Sequence, residues 1–398
     1  MESIITQEIL QTKNKVKIKE NNFNVCDLNW ILKKTNTEKN KVYDRSISLI
    51  DLYCGCGGMT LGVKEALRNK NFSLDIKLAV DSNLPAIEVY RNNFAVGNDI
   101  ATDKDINDIV STNIGQPLNA TEKALKKKIK ELDILVAGPP CQGHSNLNNH
   151  TRRNDPRNDL YLNAVRMIEI LRPRIAIIEN VSTVIHDKEN IVGRAQEAMK
   201  SLGYNIYSQI INASKYGLAQ SRKRHFHIAI LNSPIDLDLE SFKTQRLVPI
   251  SDYIGDILNE NIKKKGIFYS PSVTKKINKE RIDFLFDNKL FDLPDDQRPD
   301  CHKNKSHSYK SCYGRLNWDK PAQTITSGFG SMGQGRYIHP LQRRVITPHE
   351  AARIQGFPDF FSFESVELRG DLHTMIANAV PPRILAMLIS HVIEKQIL

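Results

Sequence analysis

The sequence predicts an α/β protein with a mainly parallel sheet covered by helices on both faces, followed by a smaller and less regular domain. Three observations carry this. Short all-apolar runs alternate with amphipathic stretches from Ser46 to about Ser233, the pattern of strands buried on both faces and linked by crossover helices. Beyond that point the alternation gives way to charge clusters, prolines and a glycine-rich stretch from Gly328 to Gly335. The chain has 398 residues, which at roughly 150 per domain suggests two or three units.

Ile47-Ser48-Leu49-Ile50 reads as the first strand, closed by Asp51 and a glycine cluster, with a helix from about Gly58 to Asn69. Ile76 to Val80 is a second apolar run ending in Asp81, and a third strand is expected to end near Asp99. Leu125, Ile129 and Leu132 fall on one face of a helix whose other face carries Lys126, Lys127 and Lys128. Ile134 to Ala137 is the next buried strand. Leu160, Ala164, Met167, Ile168 and Leu171 repeat with helical spacing before a strand at Ile175–Ile178, and the runs Ile206–Ile211 and Phe226–Leu231 complete the series. Regularity returns at Thr347-Pro348-His349-Glu350, a capping box with Pro at the first helical position, and Gly356 is placed to end that helix. The apolar segment Ile384–Ile397 is expected to pack back on the sheet. These boundaries give an N-terminal extension (1–45), a catalytic unit (46–232), an irregular unit (233–345) and a returning segment (346–398).

Composition narrows the function. Apolar residues make up 40% and charged residues 25%, which excludes disorder, collagen and low-complexity scaffolds. A formal charge of +11 suits a polyanionic partner such as nucleic acid, and equally a Lys-, Asn- and Ile-rich chain with a merely soluble basic surface. Six scattered cysteines form no disulfide framework, and Cys54 and Cys56 are too close to bridge comfortably. No export signal opens the sequence, and no run approaches the ~18 apolar residues of a membrane span. The expectation is a soluble intracellular protein with free thiols and no membrane contact. Residues 1–45 are polar, with Lys13, Lys15, Lys17 and Lys19 alternating, and read as a solvated arm or edge strand.

Ligands of such sheets bind at the carboxyl ends of the strands, and the chemistry-bearing residues fall there. The first strand runs into Asp51-Leu52-Tyr53-Cys54-Gly55-Cys56-Gly57-Gly58, where glycines permit close backbone approach and a helix start offers free N–H groups. Asp81, ending the next strand, is placed to accept from ribose hydroxyls or, alternatively, to cap a helix. Together they suggest a nucleoside-containing cofactor. The strand at 134–137 ends in Gly138-Pro139-Pro140-Cys141-Gln142-Gly143-His144-Ser145. Two prolines hold the chain rigid where the sheet presents its active site, so Cys141 reads as an accessible nucleophile rather than a core residue. Glu179-Asn180-Val181 ends the following strand with a candidate acid. Arg222 and Arg224, on alternate positions entering a strand, suit a phosphate or a base carbonyl if both side chains point one way.

These pieces, in this order, resemble the DNA (cytosine-5)-methyltransferase family. Asp51–Gly58 is similar to its cofactor loop DLFCGxGG, with Tyr53 in place of the usual Phe. Gly138–Ser145 resembles the nucleophile motif, Glu179–Val181 the ENV motif and Gln220–Arg224 the QxRxR motif. Arg344–Pro358 resembles the ninth motif and Asn378-Ala379-Val380-Pro381 the tenth, where Ala377 replaces the usual Gly. The resemblance spans roughly residues 46–398.

It implies a Rossmann-like class I domain using S-adenosyl-L-methionine, with a target-recognition domain at 233–345 reading base edges in the major groove of double-stranded DNA. It implies Cys141 as the thiolate that adds to cytosine C6, Glu179 as the acid at N3, and a cytosine flipped from the stack. Tyr53, Gly55, Gly57, Gly58, Asp81, Asp99, Ile100, Gly138, Leu160 and Asn378 would line the cofactor pocket, Asp81 holding the ribose and Asp99 with Ile100 the adenine. Arg222 and Arg224 would steady the flipped nucleotide, and Gln142 and Ser145 would also touch DNA. The bacterial members imply a protective methylase of a restriction-modification system, a monomer in the cytoplasm, with a restriction endonuclease as a separate partner. Alternatives are tRNA methylation by the same chemistry, a catalytically idle DNA-binding protein, and a nicotinamide-dependent oxidoreductase, the last disfavoured by the missing GxGxxG. Cys301, His302, His307 and Cys312 cluster in the second unit, but their spacing fits no standard zinc pattern, so no metal is expected.

Overall fold

The structure is a computed structural model that describes residues 28–31, 42–140, 159–187, 189–234, 237–258, 264–300, 302–303 and 311–398. A helical turn, α1 (Leu28–Ile31), precedes the alternating region β1 (Arg45–Leu52), α2 (Gly58–Asn69), β2 (Phe72–Val80), α3 (Leu84–Phe94) and β3 (Ala101–Thr102). It continues through α4 (Ala120–Lys128), β4 (Ile134–Ala137), α5 (Asp159–Leu171), β5 (Ile175–Val181), α6 (Ile191–Ser201) and β6 (Tyr204–Asn212). The short β7 (Gln220–Ser221) and the long β8 (Lys223–Leu231) close it.

Seven strands form one sheet in the order β3-β2-β1-β4-β5-β8-β6. The pairs β1–β2, β1–β4, β2–β3 and β4–β5 are parallel, whereas β8 runs antiparallel between β5 and β6. The Phe226–Leu231 run therefore enters in the opposite sense to its neighbours. The chain returns from β6 through a 3-10 turn at Ala213–Tyr216 without a crossover helix, and only an antiparallel partner can be reached by so short a link. The strand order reverses at β1, whose two neighbours are β2 and β4. This is the switch point at which an open α/β sheet leaves a crevice.

Apolar residues fill both faces. Ile47, Leu49, Val136, Ile177 and Ile228 share one core with α2 and α11 (Pro382–Glu394), while Ile50, Leu135, Ile178 and Ala229 share the other with α5 and α6. The C-terminal helix thus packs back on the sheet. It approaches α2 so closely that a Cβ on Gly62 would lie 2.7 Å from Leu385 Cβ and collide with the Pro382 carbonyl, and one on Gly58 would lie 2.5 Å from the Val380 oxygen. The stretch Arg369–Glu394, long and apolar enough to cross a membrane, has 83% of its apolar window buried in this core. It is two helices, α10 (Arg369–Asn378) and α11, parted at Ala379–Pro381.

Beyond β8 lie α7 (Ser251–Ile254), α8 (Lys276–Asp287), β9 (Gly314–Arg315), β10 (Ala322–Gln323), β11 (Arg336–Ile338) and α9 (Pro348–Gln355). The two-residue β10 pairs with β7, and β11 with β9. A small core of Ile282, Leu285, Leu293, Tyr313, Met332, Ile338 and Val345 supports α8. Helix α9 begins at the capping box, with Thr347 accepting from the Glu350 N–H and Glu350 from the Thr347 N–H, and ends at Gly356 with φ +95°.

Several boundaries differ from the sequence reading. β2 starts at Phe72, four residues early, and β3 lies just beyond Asp99 instead of ending there. Helix α4 stops at Lys128, so Ile129 and Leu132 are buried in the chain that follows it. Its capping box at Asn119 and Glu122 sets its start, and the Asp133 carboxylate ties the next segment to Ser48. The largest correction concerns the N-terminal extension. Trp30 and Ile31 are not solvated: they are 7% and 0% exposed and belong to a core with Tyr253, Ile254 and Phe357. Trp30 Nε1 donates to the Gly356 carbonyl at 3.2 Å, the Trp30 ring meets Phe360 edge-on, and the Ile31 carbonyl accepts from Asp359 N.

Replacing Trp30 by Ala should therefore lower the free energy of unfolding by about 3 kcal/mol in urea titrations. A change within ~0.5 kcal/mol, the usual effect of a surface substitution, would mean that this segment does not pack.

Candidate active site

The turn after β1 stands at the switch point. Tyr53 and Gly55 have φ of +57° and +52°, and Gly57 has φ +95°. A Cβ on Gly57 would lie 2.9 Å from Tyr90, so only glycine lets the turn press against α3. At Gly55, by contrast, an added Cβ would meet nothing within 4 Å among the described residues, so the turn borders open space between them there. The Gly55 N–H donates to Asp81 Oδ2 at 2.8 Å and the Asn83 N–H to Asp81 Oδ1 at 2.9 Å. Burial raises the Asp81 carboxyl above its usual value, and these two backbone donors oppose the shift. Asn83, not Asp81, caps α3, by accepting from Ala86 N. Asp81 instead ties the turn after β1 to the end of β2.

The end of β4 joins the same crevice. Gly138 N donates to the Leu52 carbonyl at 3.1 Å. A Cβ built on Gly138 would lie 3.2 Å from Met59, 3.9 Å from the Tyr53 oxygen and 3.9 Å from Glu179 Oε2. One small residue thus brings the turn and the Glu179 carboxylate within reach of a single point. Across the opening, the Tyr53 hydroxyl donates to the Leu160 carbonyl at 2.7 Å in the first turn of α5.

Glu179 is 7% exposed at the end of β5. Arg224 Nε, on the adjacent β8, stands 3.0 Å from Oε1. The pair is close in charge but off the angle of a hydrogen bond, and among the described residues Oε1 has no hydrogen-bond donor. Desolvation raises the Glu179 carboxyl above its usual value, while Arg224 and then Arg222 pull it back. Arg222 is 2% exposed and reaches the Ile325 carbonyl through Nη1 at 3.4 Å. Both arginines therefore act on Glu179, with different anchors. Asn180 Nδ2 donates to the Pro139 carbonyl at 3.3 Å, holding the chain ahead of Cys141 against β5.

The remaining expected positions fall at the ends of other elements. Asp99 is exposed just before β3, and the Ile100 carbonyl accepts from Ala79 N at 2.8 Å. Asn378 is exposed at the end of α10. Gly58 opens α2 against the C-terminal segment. Cys141, Gln142 and Ser145 lie outside the described residues, as do Cys301 and His307. Among the described residues no group of three or more His, Cys, Asp or Glu side chains could hold a metal ion.

The family model for C-5 cytosine-specific DNA methylases matches residues 47–394. Type II methyltransferase M1.BsuMI of Bacillus subtilis is 43% identical over 366 residues, covering 92% of this chain and 84% of its own. The chain belongs to the C-5 cytosine-specific DNA methylase family. It is a DNA (cytosine-5-)-methyltransferase, of a family and fold that use S-adenosylmethionine. Type II methyltransferase M.DdeI of Desulfomicrobium norvegicum is 28% identical, over 84% of this chain and 86% of its own. Among solved structures, a putative DNA modification methyltransferase encoded within an E. coli prophage superposes with a TM-score of 0.62 at 26% identity, over 87% of this chain and 99% of that one. S. pombe Dnmt2, at 19% identity and a TM-score of 0.61, shares the fold.

Beneath the methyltransferase site lie buried polar groups that the sequence reading did not single out. Asp51 is fully buried, accepts from Thr60 Oγ1 at 2.6 Å, and Thr60 lies 2.9 Å from the Tyr90 hydroxyl. Its second oxygen has no hydrogen-bond partner among the described residues. Burial pushes its pKa up to about 7, with Thr60 opposing and Asp81 adding to the rise. Gln220 and Gln355 form a buried amide pair at 2.6 Å. Gln220 Oε1 accepts from Ile325 N at 3.2 Å, and Gln355 donates to the Ala379 carbonyl beside Asn378. On the other face, Tyr161 and His227 Nδ1 are 3.0 Å apart, and His225 lies beside them. Burial lowers these histidines to about 4 for His225 and about 3 for His227, so both are neutral near pH 7. The one available signal was position: Asp51 and Gln220 sit inside the quoted motifs.

A carboxyl raised on folding holds a proton that the unfolded chain has already lost, so its contribution to stability is present at low pH and disappears as pH rises through about 7. Wild-type protein should gain thermal stability relative to Asp51→Asn as pH falls from about 8 to 5. Parallel melting curves for the two proteins would discount this ionisation.

Proposed function

We propose that the chain transfers a methyl group from S-adenosyl-L-methionine to C5 of a cytosine flipped out of a specific duplex DNA sequence, by way of a bond between Cys141 Sγ and cytosine C6. The observation that carries the reading is the placement of Glu179: a buried carboxyl at the strand end, raised in pKa and beside two arginines, near the turn at the switch point. The open side of Gly55, the anchored Asp81 and the bare Gly138 fit a nucleoside cofactor. Bound there, the cofactor supplies an electrophilic methyl group on a sulfonium. Tyr53, Gly55, Gly57, Gly58, Asp81, Asp99, Ile100, Gly138, Leu160 and Asn378 would hold it.

The chain's own groups do the rest. Protonated Glu179 donates to cytosine N3 and draws electron density from the ring as the Cys141 thiolate adds at C6. The electron pair released toward C5 takes the methyl group. Loss of the C5 proton then expels the thiolate and restores the aromatic ring. Arg222 and Arg224 hold the flipped nucleotide and tune Glu179, with Gln142 and Ser145 touching DNA, and residues 233–345 read the target sequence. M1.BsuMI and M.DdeI are by name Type II methyltransferases, which supports a protective methylase acting as a monomer in the bacterial cytoplasm, its endonuclease being a separate chain.

Duplex DNA bearing 5-fluorocytosine at the target should form a covalent complex with wild-type protein and methyl donor, and none with Cys141→Ser. Absence of the adduct with enzyme that methylates ordinary DNA would refute the Cys141 step.

Glu179→Gln should cost about 100-fold or more in kcat, the range for a lost general acid. In wild type the rate should fall on the alkaline side as Glu179 gives up its proton and on the acid side as the thiol gains one. Glu179→Gln should lose the alkaline limb, and a variant that keeps it would assign that limb to another group.

A further inference from the structure

Tyr53 is a non-glycine residue at φ +57°, a conformation uncommon for a bulky side chain. Something must hold the ring, and the contacts show what does. Its hydroxyl donates to the Leu160 carbonyl at 2.7 Å, a link between positions 107 residues apart in sequence. On the other side its carbonyl oxygen lies 3.9 Å from the point where Gly138 would carry a Cβ, and Gly138 N is bonded to Leu52. Tyr53 therefore touches both the end of β4 and the start of α5, the two described ends of the segment that contains Cys141. Burial pushes the phenol well above its usual pKa, so it remains a donor at any working pH. The family's cofactor-loop motif usually has Phe at this position, so the hydroxyl and its bond to Leu160 are not part of that motif.

We propose that the Tyr53 hydroxyl is a positioning group: by clasping the first turn of α5 to the turn after β1, it sets the width of the slot that receives the methyl donor. The proposal rests on the reading above that Tyr53 and Leu160 face each other across that slot. Without the clasp each wall relaxes separately in the empty protein, and the ligand must reorder both on binding.

A second phenol, on the first turn of α5 itself, provides an internal control. Tyr161 follows Leu160 but turns its hydroxyl to His227 on β8, toward the sheet interior. Tyr53→Phe removes the hydroxyl that reaches this turn from the end of β1, and Tyr161→Phe the one that the turn itself sends to β8.

The test compares wild type and both variants as full-length protein. Calorimetry would give the affinity for S-adenosylhomocysteine, kinetics the two KM values, and melting curves the stability without ligand. Tyr53→Phe should weaken S-adenosylhomocysteine binding about three- to tenfold, the scale of one hydrogen bond, and raise the KM for the methyl donor equally while the KM for DNA stays unchanged. Tyr161→Phe should lower the melting temperature without moving the donor KM. A change within twofold in Tyr53→Phe overturns the clasp, as does equal weakening in Tyr161→Phe, which would trace the effect to a loosened α5. Wild-type protein that binds S-adenosylhomocysteine as described but methylates no cytosine would leave the clasp standing and remove the function proposed above.

Discussion

The reversal of strand order at β1 is the constraint from which the site follows. With β2 on one side of β1 and β4 on the other, the connections leaving the strand ends must diverge, and no crossover covers the gap between them. Backbone groups lining that gap would be exposed to whatever enters it, and the chain meets this with glycine at positions 55 and 138 and with one anchored carboxylate, Asp81. The same geometry brings Glu179 to the rim, because β5 is the next strand outward from β4 and runs past its end: Ala137 pairs with Ile178, and Glu179 is the next residue.

Charge management at this rim depends on burial. Desolvation raises the Glu179 carboxyl above its usual value, and Arg224 and then Arg222 pull it part of the way back. The antiparallel insertion of β8 makes the balance available, since its register sets Arg224 opposite Val181 and Phe226 opposite Glu179. A parallel strand at that place would have needed a crossover and would have delivered a different end of the chain.

Much of this was legible in the sequence because the relevant signals are local. All-apolar runs ending in Asp51, Gly138 and Glu179 identify buried strands and their carboxyl ends without any knowledge of partners. Direction is not local: nothing in Phe226–Leu231 says which way the strand runs. Nor is burial of a lone residue. Trp30 and Ile31 sit in a polar, lysine-rich segment with no periodicity, and their pocket is built by residues near 250 and 357. The Gln220–Gln355 pair joins side chains 135 positions apart, and Asp51 differs from an exposed aspartate only through what covers it. Ile129 and Leu132 show the converse error, a spacing compatible with a helix in residues that belong to the buried link between α4 and β4.

The docking of Trp30 has a consequence for biosynthesis. Its acceptor, the Gly356 carbonyl, lies 326 positions downstream, so a ribosome exposes the indole long before any of its binding surface exists. The nascent chain must carry this aromatic group unsheltered through almost all of translation and seat it only when the last tenth emerges. This early-made helical turn is thus among the last to settle, and synthesis of the downstream segment is a precondition for locking it.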